Sequence, residues 1–423
     1  MIVMKFGGSS VDTAESIRRV VGIVRGQRDR QPVVVVSAMA KTTNKLLAAA
    51  DAAAAGEDYV PLFEELCEYH IRESRAPAGQ ESLLEPYFSE LRGVLDEIAA
   101  GGKVTPRLAD HVASFGELLS SAILSHALDS PWIDCRQVMI TDGDFTRAKP
   151  IYEETEPRLR DALLPHLKEG RVPVLGGYVG STLDGITTTL GKEGSDFSAA
   201  IVGAAIQAEE VQIWTDVDGI LTADPRIVPT ARRVPALSFD EALELACSGM
   251  KKPHYGTLGP ASRADVPIRI LNSWQHAEGT LIGRRDGAAP GIRSIACKPG
   301  VHQLTVHGDL ERIWEVCERF RPALLTLSAE EGRAELSLDR PERLPEIREA
   351  LERVEVNPGR TVVTLVSEDL ATNPELVEKV LEAARPWEPR LILQGVSAPC
   401  VRCLVDEHEL ETVIAELHER VFE

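Results

Sequence analysis

Cations are scarce in this sequence: 46 Lys and Arg against 66 Asp and Glu leave a formal charge of −20 over 423 residues. A chain so acidic offers no clustered cations, which excludes nucleic acid and an anionic membrane surface as expected partners. Any anionic substrate must be held by local positive groups against the global field. Long apolar runs are missing too, and none approaches the ~20 residues of a bilayer-crossing helix. The N-terminus shows no charged leader, long apolar core or cleavage site, so no signal peptide is expected. Cysteine is sparse and odd in number: seven, at positions 67, 135, 247, 297, 317, 400 and 403. That suits free thiols in a reducing cytoplasm. Cys400 and Cys403 have CxxC spacing but stand in a strand-like stretch, where an offset of three sends the side chains to opposite faces. The ten histidines form no ligand-spaced cluster, so no resident metal site is expected.

What is present is ordinary in composition, 43% hydrophobic and 26% charged, and long enough for two or three domains. Through about residue 290, short apolar strands alternate with helices, the pattern of an α/β domain. Val33–Val36 is β-branched throughout, as in a strand buried on both faces. Val172 to Leu175 and Val211 to Trp214 read likewise, and Ile268–Leu271 is a late strand. Helices are expected over 13–25, 43–55, 110–128, 157–169 and 196–207. After Gly291 the texture changes. A strand (301–307), a helix (309–320), two strands (322–328, 333–338), a helix (341–352) and a strand near 354 follow one another. The order then restarts with strand 361–367, helix 374–385, strands 390–396 and 399–405, and helix 407–419. This βαββαβ followed by βαββα is an internal repeat of ferredoxin-like units, and the boundary near 284–294, with its Arg-Arg-Asp-Gly-Ala-Ala-Pro-Gly, is the linker candidate.

The chain opens with MIVMKFGGSSVDTAESI. Met1 to Phe6 reads as a short buried strand. Ile17, Val20, Val21 and Val24 then recur at helical spacing, with Asp12 as expected N-cap and Glu15 completing a capping box. Lys5-Phe6-Gly7-Gly8-Ser9-Ser10 is therefore a turn before a helix N-terminus, where backbone N–H groups and the helix dipole favour an anion. It is neither a P-loop, whose lysine follows the glycines, nor the GxGxxG pattern; two glycines also simply turn a chain. A second such turn is TTTLGKEGSDFSAA (187–200), carrying Lys192, Ser195 and Asp196, where Ser195 or Asp196 as a plain N-cap is the alternative. WTDVDGILTADPR (214–226) follows a strand and lacks EF-hand ligand spacing. SGMKKPH (248–254) sets two lysines in an acidic chain, with a solvated basic patch as the alternative. Two anion-ready turns, an acidic loop and a lysine pair together suggest phosphoryl transfer, whose catalysis is mostly positioning and charge neutralisation.

KFGGSSV, VVVVSAM…TN, FGELLSS, TTTLGKEGSD, WTDVDGILTADPR and NSW…GTLIG stand in the order seen in aspartokinases, and the chain resembles that family over nearly its whole length. The resemblance implies an α/β fold: a three-layer αβα amino-acid-kinase domain with a mainly parallel sheet (residues 1–290), then two ferredoxin-like ACT repeats (295–358 and 359–423). It implies ATP, with Mg²⁺ held mainly by the phosphates, and L-aspartate as substrates, in a cleft above the C-terminal edge of the sheet. The product is 4-phospho-L-aspartate, the opening step toward lysine, diaminopimelate, threonine and methionine. A cytoplasmic homodimer or larger assembly through the ACT repeats is implied as well.

Residue by residue, Lys5 matches the lysine that contacts the transferring phosphoryl group, and Gly7, Gly8 and Ser9 match the phosphate-cradling loop. Thr43 and Glu117 match aspartate-binding positions, Glu117 pairing with the substrate ammonium. Ser195 and Asp196 match the GSD turn, whose aspartate orders the lysine and the reacting groups. Thr215, Asp216, Arg226 and Lys251 match the nucleotide-binding side. Without the resemblance Glu117 reads as a solvated glutamate, because the stripe Val112, Phe115, Leu119, Ala122 and Ile123 passes it by. The substrate chemistry agrees: a side-chain carboxylate, with an ordinary pKa of ~3.9, is ionised at neutral pH and attacks phosphorus without a general base.

Three departures stand out. Lys192-Glu193 replaces the family's Arg-Gly, which makes Lys192 the candidate for the substrate α-carboxylate. Leu221 stands where tyrosine is frequent. TVHGDLERIWEVC joins strand to helix with little loop, so lysine and threonine are expected to inhibit weakly or not at all. Two rival readings are a kinase of the same fold acting on an acylated glutamate or a nucleotide, and a non-catalytic ACT sensor. Glu117 speaks against an N-acylated substrate, and the retained Lys5 and Asp196 speak against a dead kinase.

Overall fold

The computed structural model describes residues 1–74, 83–191, 193–250, 253–275, 277–284, 291–320, 324–328, 332–338, 341–351, 353–387, 391–394 and 399–422. It comprises two compact units. The first is Met1–Ile220, Pro235–Phe239 and Pro253–Arg285; the second is Leu221–Val234, Asp240–Lys252 and Asp286–Glu423. Among the described residues no helix is long and apolar enough to cross a membrane.

In the first unit the strands are β1 (Ile2–Phe6), β2 (Pro32–Val36), β3 (Trp132–Ile133), β4 (Val174–Gly176), β5 (Val179–Ser181), β6 (Thr187–Thr189), β7 (Glu210–Thr215), β8 (Ala236–Leu237), β9 (Ile268–Asn272) and β10 (Thr280–Ile282). The main sheet has the order β3-β4-β2-β1-β7-β9-β10-β8. Every pair is parallel except β9–β10, and β5–β6 form a separate antiparallel hairpin. The strands are short and β-branched because both faces are covered: β1 and β2 are buried along their whole length. Ile2, Met4, Phe6, Val34 and Val36 pack into one core with the helices Ala14–Gly26, Thr42–Ala54, Val60–Ser74, Glu85–Gly101 and Pro106–Leu128. The period of two turns Val3 and Lys5 to the opposite face. There the helix Gly194–Ala205 lies close enough that a Cβ on Gly203 would touch Val211 at 2.3 Å and stand 3.8 Å from Val3. The chain builds β2, β3 and β4 on one side of β1, then crosses to β7 on the other. The carboxyl ends of β1 and β7 are therefore a topological switch point.

Three boundary readings are corrected. The first helix is capped by Thr13, whose hydroxyl accepts the Ser16 N–H at 3.1 Å, not by Asp12. Neither Ser195 nor Asp196 is an N-cap. Both lie inside the first turn of Gly194–Ala205, and Glu193, in a left-handed conformation at φ 60°, precedes it. The helix expected from 110 begins at Pro106, with Thr105 as cap.

The second unit carries a six-stranded antiparallel sheet of β11 (Ser294–His307), β12 (Leu324–Ser328), β13 (Arg333–Leu338), β14 (Arg353–Val366), β15 (Leu391–Gln394) and β16 (Cys400–Asp406), in the order β12-β13-β11-β14-β16-β15. Two long strands serve both halves. Residues 301–307 of β11 pair with 353–360 of β14, and residues 294–298 pair with 362–366, with irregular register between Lys298 and Gln303. Leu304, Val306, Ile313, Leu336 and Ile347 form one core. Ile295, Val363, Leu365, Val401, Val413 and Leu417 form the other. Ser294–Lys298 thus precedes the first repeat in sequence but completes the sheet of the second. The seven cysteines are free, and Cys400 and Cys403 are both buried in this sheet.

Candidate active site

Lys5 is the next-to-last residue of β1 and faces the helix Gly194–Ala205. Its ammonium lies 2.5 Å from Asp196 Oδ1, and the two side chains are 6% and 1% exposed. Strand period and helix start together bring these residues, 191 positions apart, into contact. Apart from this ion pair neither Asp196 oxygen has a hydrogen-bond partner. Phe6 ends the strand, Gly7 N–H donates to the Trp214 carbonyl at the end of β7, and Gly8–Ser10 make a single 3-10 turn. Gly8 is required sterically, since a Cβ there would stand 2.5 Å from the Ala38 carbonyl oxygen. Ser9 is exposed and Ser10 is buried; the Ser10 hydroxyl meets that of Ser273 at 2.8 Å.

Glu117 is not a solvated residue. It is 4% exposed, about three turns into the long helix Pro106–Leu128. The sequence reading followed the apolar stripe alone, whereas this helix is covered on nearly all sides and buries Ser114, Ser120 and Ser121 with it. Burial pushes the Glu117 carboxyl up to about 8, against the opposing pull of the Ala38 N–H, the nearby Lys5 charge and the Ser195 hydroxyl. Ser195 Oγ donates to Glu117 Oε1 at 3.5 Å. Oε2 is buried and has no hydrogen-bond partner. Small residues make this approach possible. A Cβ on Gly177 would lie 2.7 Å from Ser195 Cα, one on Gly176 3.1 Å from Glu117 Cβ, and one on Gly116 2.7 Å from Ala38 Cβ and 3.5 Å from Thr43 Oγ1. Thr43 itself sits half-buried in the first turn of Thr42–Ala54.

Lys5, Gly7, Gly8, Ser9, Thr43, Glu117, Ser195 and Asp196 are thereby gathered at the carboxyl ends of the central strands. Thr215 ends β7 beside them, with its hydroxyl donating to Asp216 Oδ1 at 2.9 Å. Arg226 belongs to the second unit, where it is paired with Asp224 at 2.5 Å and its side chain is 80% exposed. Lys192 and Lys251 lie outside the described residues. Sequence reasoning missed Asp110, a buried carboxylate seven residues before Glu117 and so on the same helix face. That spacing was the available signal.

A buried lysine–aspartate pair and a glycine turn at the switch point of a parallel αβα sheet define the class: a kinase that carries phosphate without a P-loop. Residues 1–272 match the family described as amino acid kinase family. The chain is 34% identical to aspartokinase 2, chloroplastic, of Arabidopsis thaliana, covering 100% of this chain and 84% of that one. It is 33% identical to lysine-sensitive aspartokinase 3 of Escherichia coli, covering 100% and 99%. The crystal structure of E. coli aspartokinase III in complex with aspartate and ADP superposes with a TM-score of 0.84 at 30% identity, covering 100% of both chains. The chain therefore belongs to the amino acid kinase family and, within it, to the aspartokinases.

Proposed function

We infer that this chain transfers the γ-phosphoryl group of ATP to the side-chain carboxylate of L-aspartate, releasing ADP and 4-phospho-L-aspartate. The observation that carries this reading is Glu117 Oε2, buried without a partner beside Ser195 on a site anchored by Lys5 and Asp196. A buried carboxylate oxygen is costly unless it meets a donor or a cation; the substrate α-ammonium supplies both. The E. coli structure, solved with aspartate and ADP, supports the same substrate pair. In the reaction a carboxylate oxygen of aspartate attacks the γ-phosphorus, and the bond to the bridging β,γ-oxygen breaks with its electron pair leaving on ADP. Asp196 holds the Lys5 ammonium, whose remaining protons neutralise the transferring oxygens. Gly7, Gly8 and Ser9 cradle the phosphates, while Thr215 and Asp216 serve the nucleotide and Thr43 and Lys192 the substrate. Mg²⁺, borne by the nucleotide phosphates as part of the substrate, would supply further charge neutralisation.

Residues 1–290 are assigned to catalysis and the repeats 295–358 and 359–423 to assembly. β12 and β15 stand at the edges of the second sheet, and unpaired strand edges offer N–H and C=O groups to a second copy, so a homodimer or larger is expected. The product opens the route to lysine, diaminopimelate, threonine and methionine in the cytoplasm. An ATP-dependent hydroxamate assay with aspartate, glutamate and N-acetylglutamate tests the substrate. Aspartate alone should give hydroxamate; turnover of N-acetylglutamate in place of aspartate would overturn the reading.

A further inference from the structure

Asp110 is 1% exposed, and a carboxylate buried this deeply is tolerated only when donors surround it. Three do. Oδ2 accepts the backbone N–H of Thr146 at 2.9 Å and of Thr189 at 3.0 Å, and Oδ1 accepts the Thr189 hydroxyl at 2.6 Å. Burial raises its pKa, and these same three bonds oppose the rise.

The two segments so held lead straight to the site. Thr189 is the last residue of β6, five positions before Gly194 opens the helix that carries Ser195 and Asp196. Thr146 has φ 72°, a conformation that a β-branched residue keeps only when its surroundings impose it. The Ala148 N–H donates to the Thr189 carbonyl at 2.9 Å, so the two segments are also tied to each other. Two described residues of the intervening turn are in left-handed conformations. Gly191 has φ 79° and Glu193 φ 60°, and a Cβ on Gly191 would stand 3.3 Å from the Thr146 carbonyl oxygen. Asp110 and Glu117 ride on one rigid helix, about 10 Å apart along its axis.

We propose that Asp110 is a positioning residue for phosphoryl transfer: it clamps the end of β6 and the Thr146 loop to the helix bearing Glu117. The clamp sets the separation between the acceptor of the substrate ammonium and the Lys5–Asp196 pair. The inference rests on the substrate reading above. If Asp110 were mere core filling, its loss would lower stability and leave substrate constants alone. As a positioning residue, its loss lets the 187–196 segment shift against Glu117, which weakens aspartate and slows transfer while ATP binding is little changed.

Asp110→Asn and Thr189→Val keep side-chain volume and remove one or more of the three bonds. Both are compared with the parent enzyme by steady-state kinetics, thermal melting and backbone hydrogen exchange of the 187–196 segment. The expected result is a rise of about tenfold or more in KM for aspartate and a fall in kcat, with KM for ATP within about twofold. Exchange should quicken across 187–196 but not across Pro106–Leu128. Aspartate kinetics unchanged in a folded variant, or exchange unchanged across 187–196, overturns the positioning role. Should Asp110→Asn fail to fold, Thr189→Val decides, since it leaves the carboxylate with both N–H donors. A parent enzyme that makes no aspartate hydroxamate sinks the substrate reading instead, and the exchange measurement then settles the clamp by itself.

Discussion

Lys5 and Glu117 show how far a single side chain depends on its burial. A charge aimed at the transition state is worth ~2.7–4 kcal/mol, so Lys5→Ala should lower kcat by about 100-fold or more while circular dichroism reports an intact fold. Retention of more than about a tenth of the rate would remove Lys5 from the catalytic role. Glu117 makes a different demand. Its carboxyl is pushed up to about 8 by burial, so in the free enzyme it is mostly protonated at neutral pH and cannot receive an ammonium as an anion. The kcat/KM for aspartate should therefore climb from pH 6 through 8 and level off about one unit above. Glu117→Gln should flatten that slope and lower the plateau. The stability sign is the reverse: the folded state binds this proton more tightly than the unfolded chain, so stability is lost as pH rises from the ordinary carboxylate range through 8. Glu117→Gln, always neutral, should melt higher than the parent at pH 8, and the gap should close toward pH 5. A flat pH profile for the parent would contradict the assignment.

At the scale of elements, the first β-turn-α unit does most of the positioning. β1 lies between β2 and β7, so its carboxyl end opens at the switch point, and its alternation sends Lys5 toward the Asp196 helix. The turn must then pass under the Ala38 carbonyl. Gly8→Ala would force backbone atoms apart at a place where the nearest neighbour is itself backbone, and overpacking of this kind costs typically 1–3 kcal/mol. We expect a lowered melting temperature together with a raised KM for ATP, measured on the same preparation. Unchanged ATP affinity in Gly8→Ala would show that the turn does not touch the phosphates. The helix that follows illustrates why boundaries blur. Asp12 and Thr13 are both good caps, and Asp12 does bond the Ser16 hydroxyl at 2.8 Å. Only backbone geometry, extended at Thr13 with φ −136° and ψ 161°, decides which one receives the N–H.

At the scale of the whole molecule the question is regulation by amino acids. The E. coli relative is named lysine-sensitive, yet the strand-to-helix connections here have little left to offer a ligand. In the first repeat β11 ends at His307 and the helix starts at Leu310. The Gly308 N–H between them already donates to the Gly332 carbonyl at 2.9 Å. In the second repeat the connection Ser367–Asn373 folds on itself: the N–H groups of Asp369, Leu370, Thr372 and Asn373 bond within it, and that of Glu368 bonds Glu241 at 2.9 Å. An amino-acid carboxylate needs free N–H groups in such a place. Lysine and threonine, singly or together, should therefore inhibit by less than about half at several millimolar with aspartate below saturation. Cooperative inhibition at sub-millimolar effector would show that a remodelled pocket binds one of them.

Periodicity and turn chemistry were enough to place most elements, because burial on both faces leaves a local imprint in Val33–Val36 and in the repeated βαββ order after residue 300. The two glycine turns, and the places of Lys5 and Asp196 beside them, were equally legible, since glycines and helix starts leave a local mark in the sequence. Two things were not local. Beyond their spacing of seven, Glu117 and Asp110 carry no mark of burial in the sequence, because the polar surroundings that admit them come from Ala38, Thr146, Thr189 and Ser195, distant along the chain. Nor does the sequence order show that Ser294–Lys298 completes the sheet of the second repeat. Strand pairing follows which hydrophobic face is left open, and only the packed cores around Leu304 and Val363 decide that.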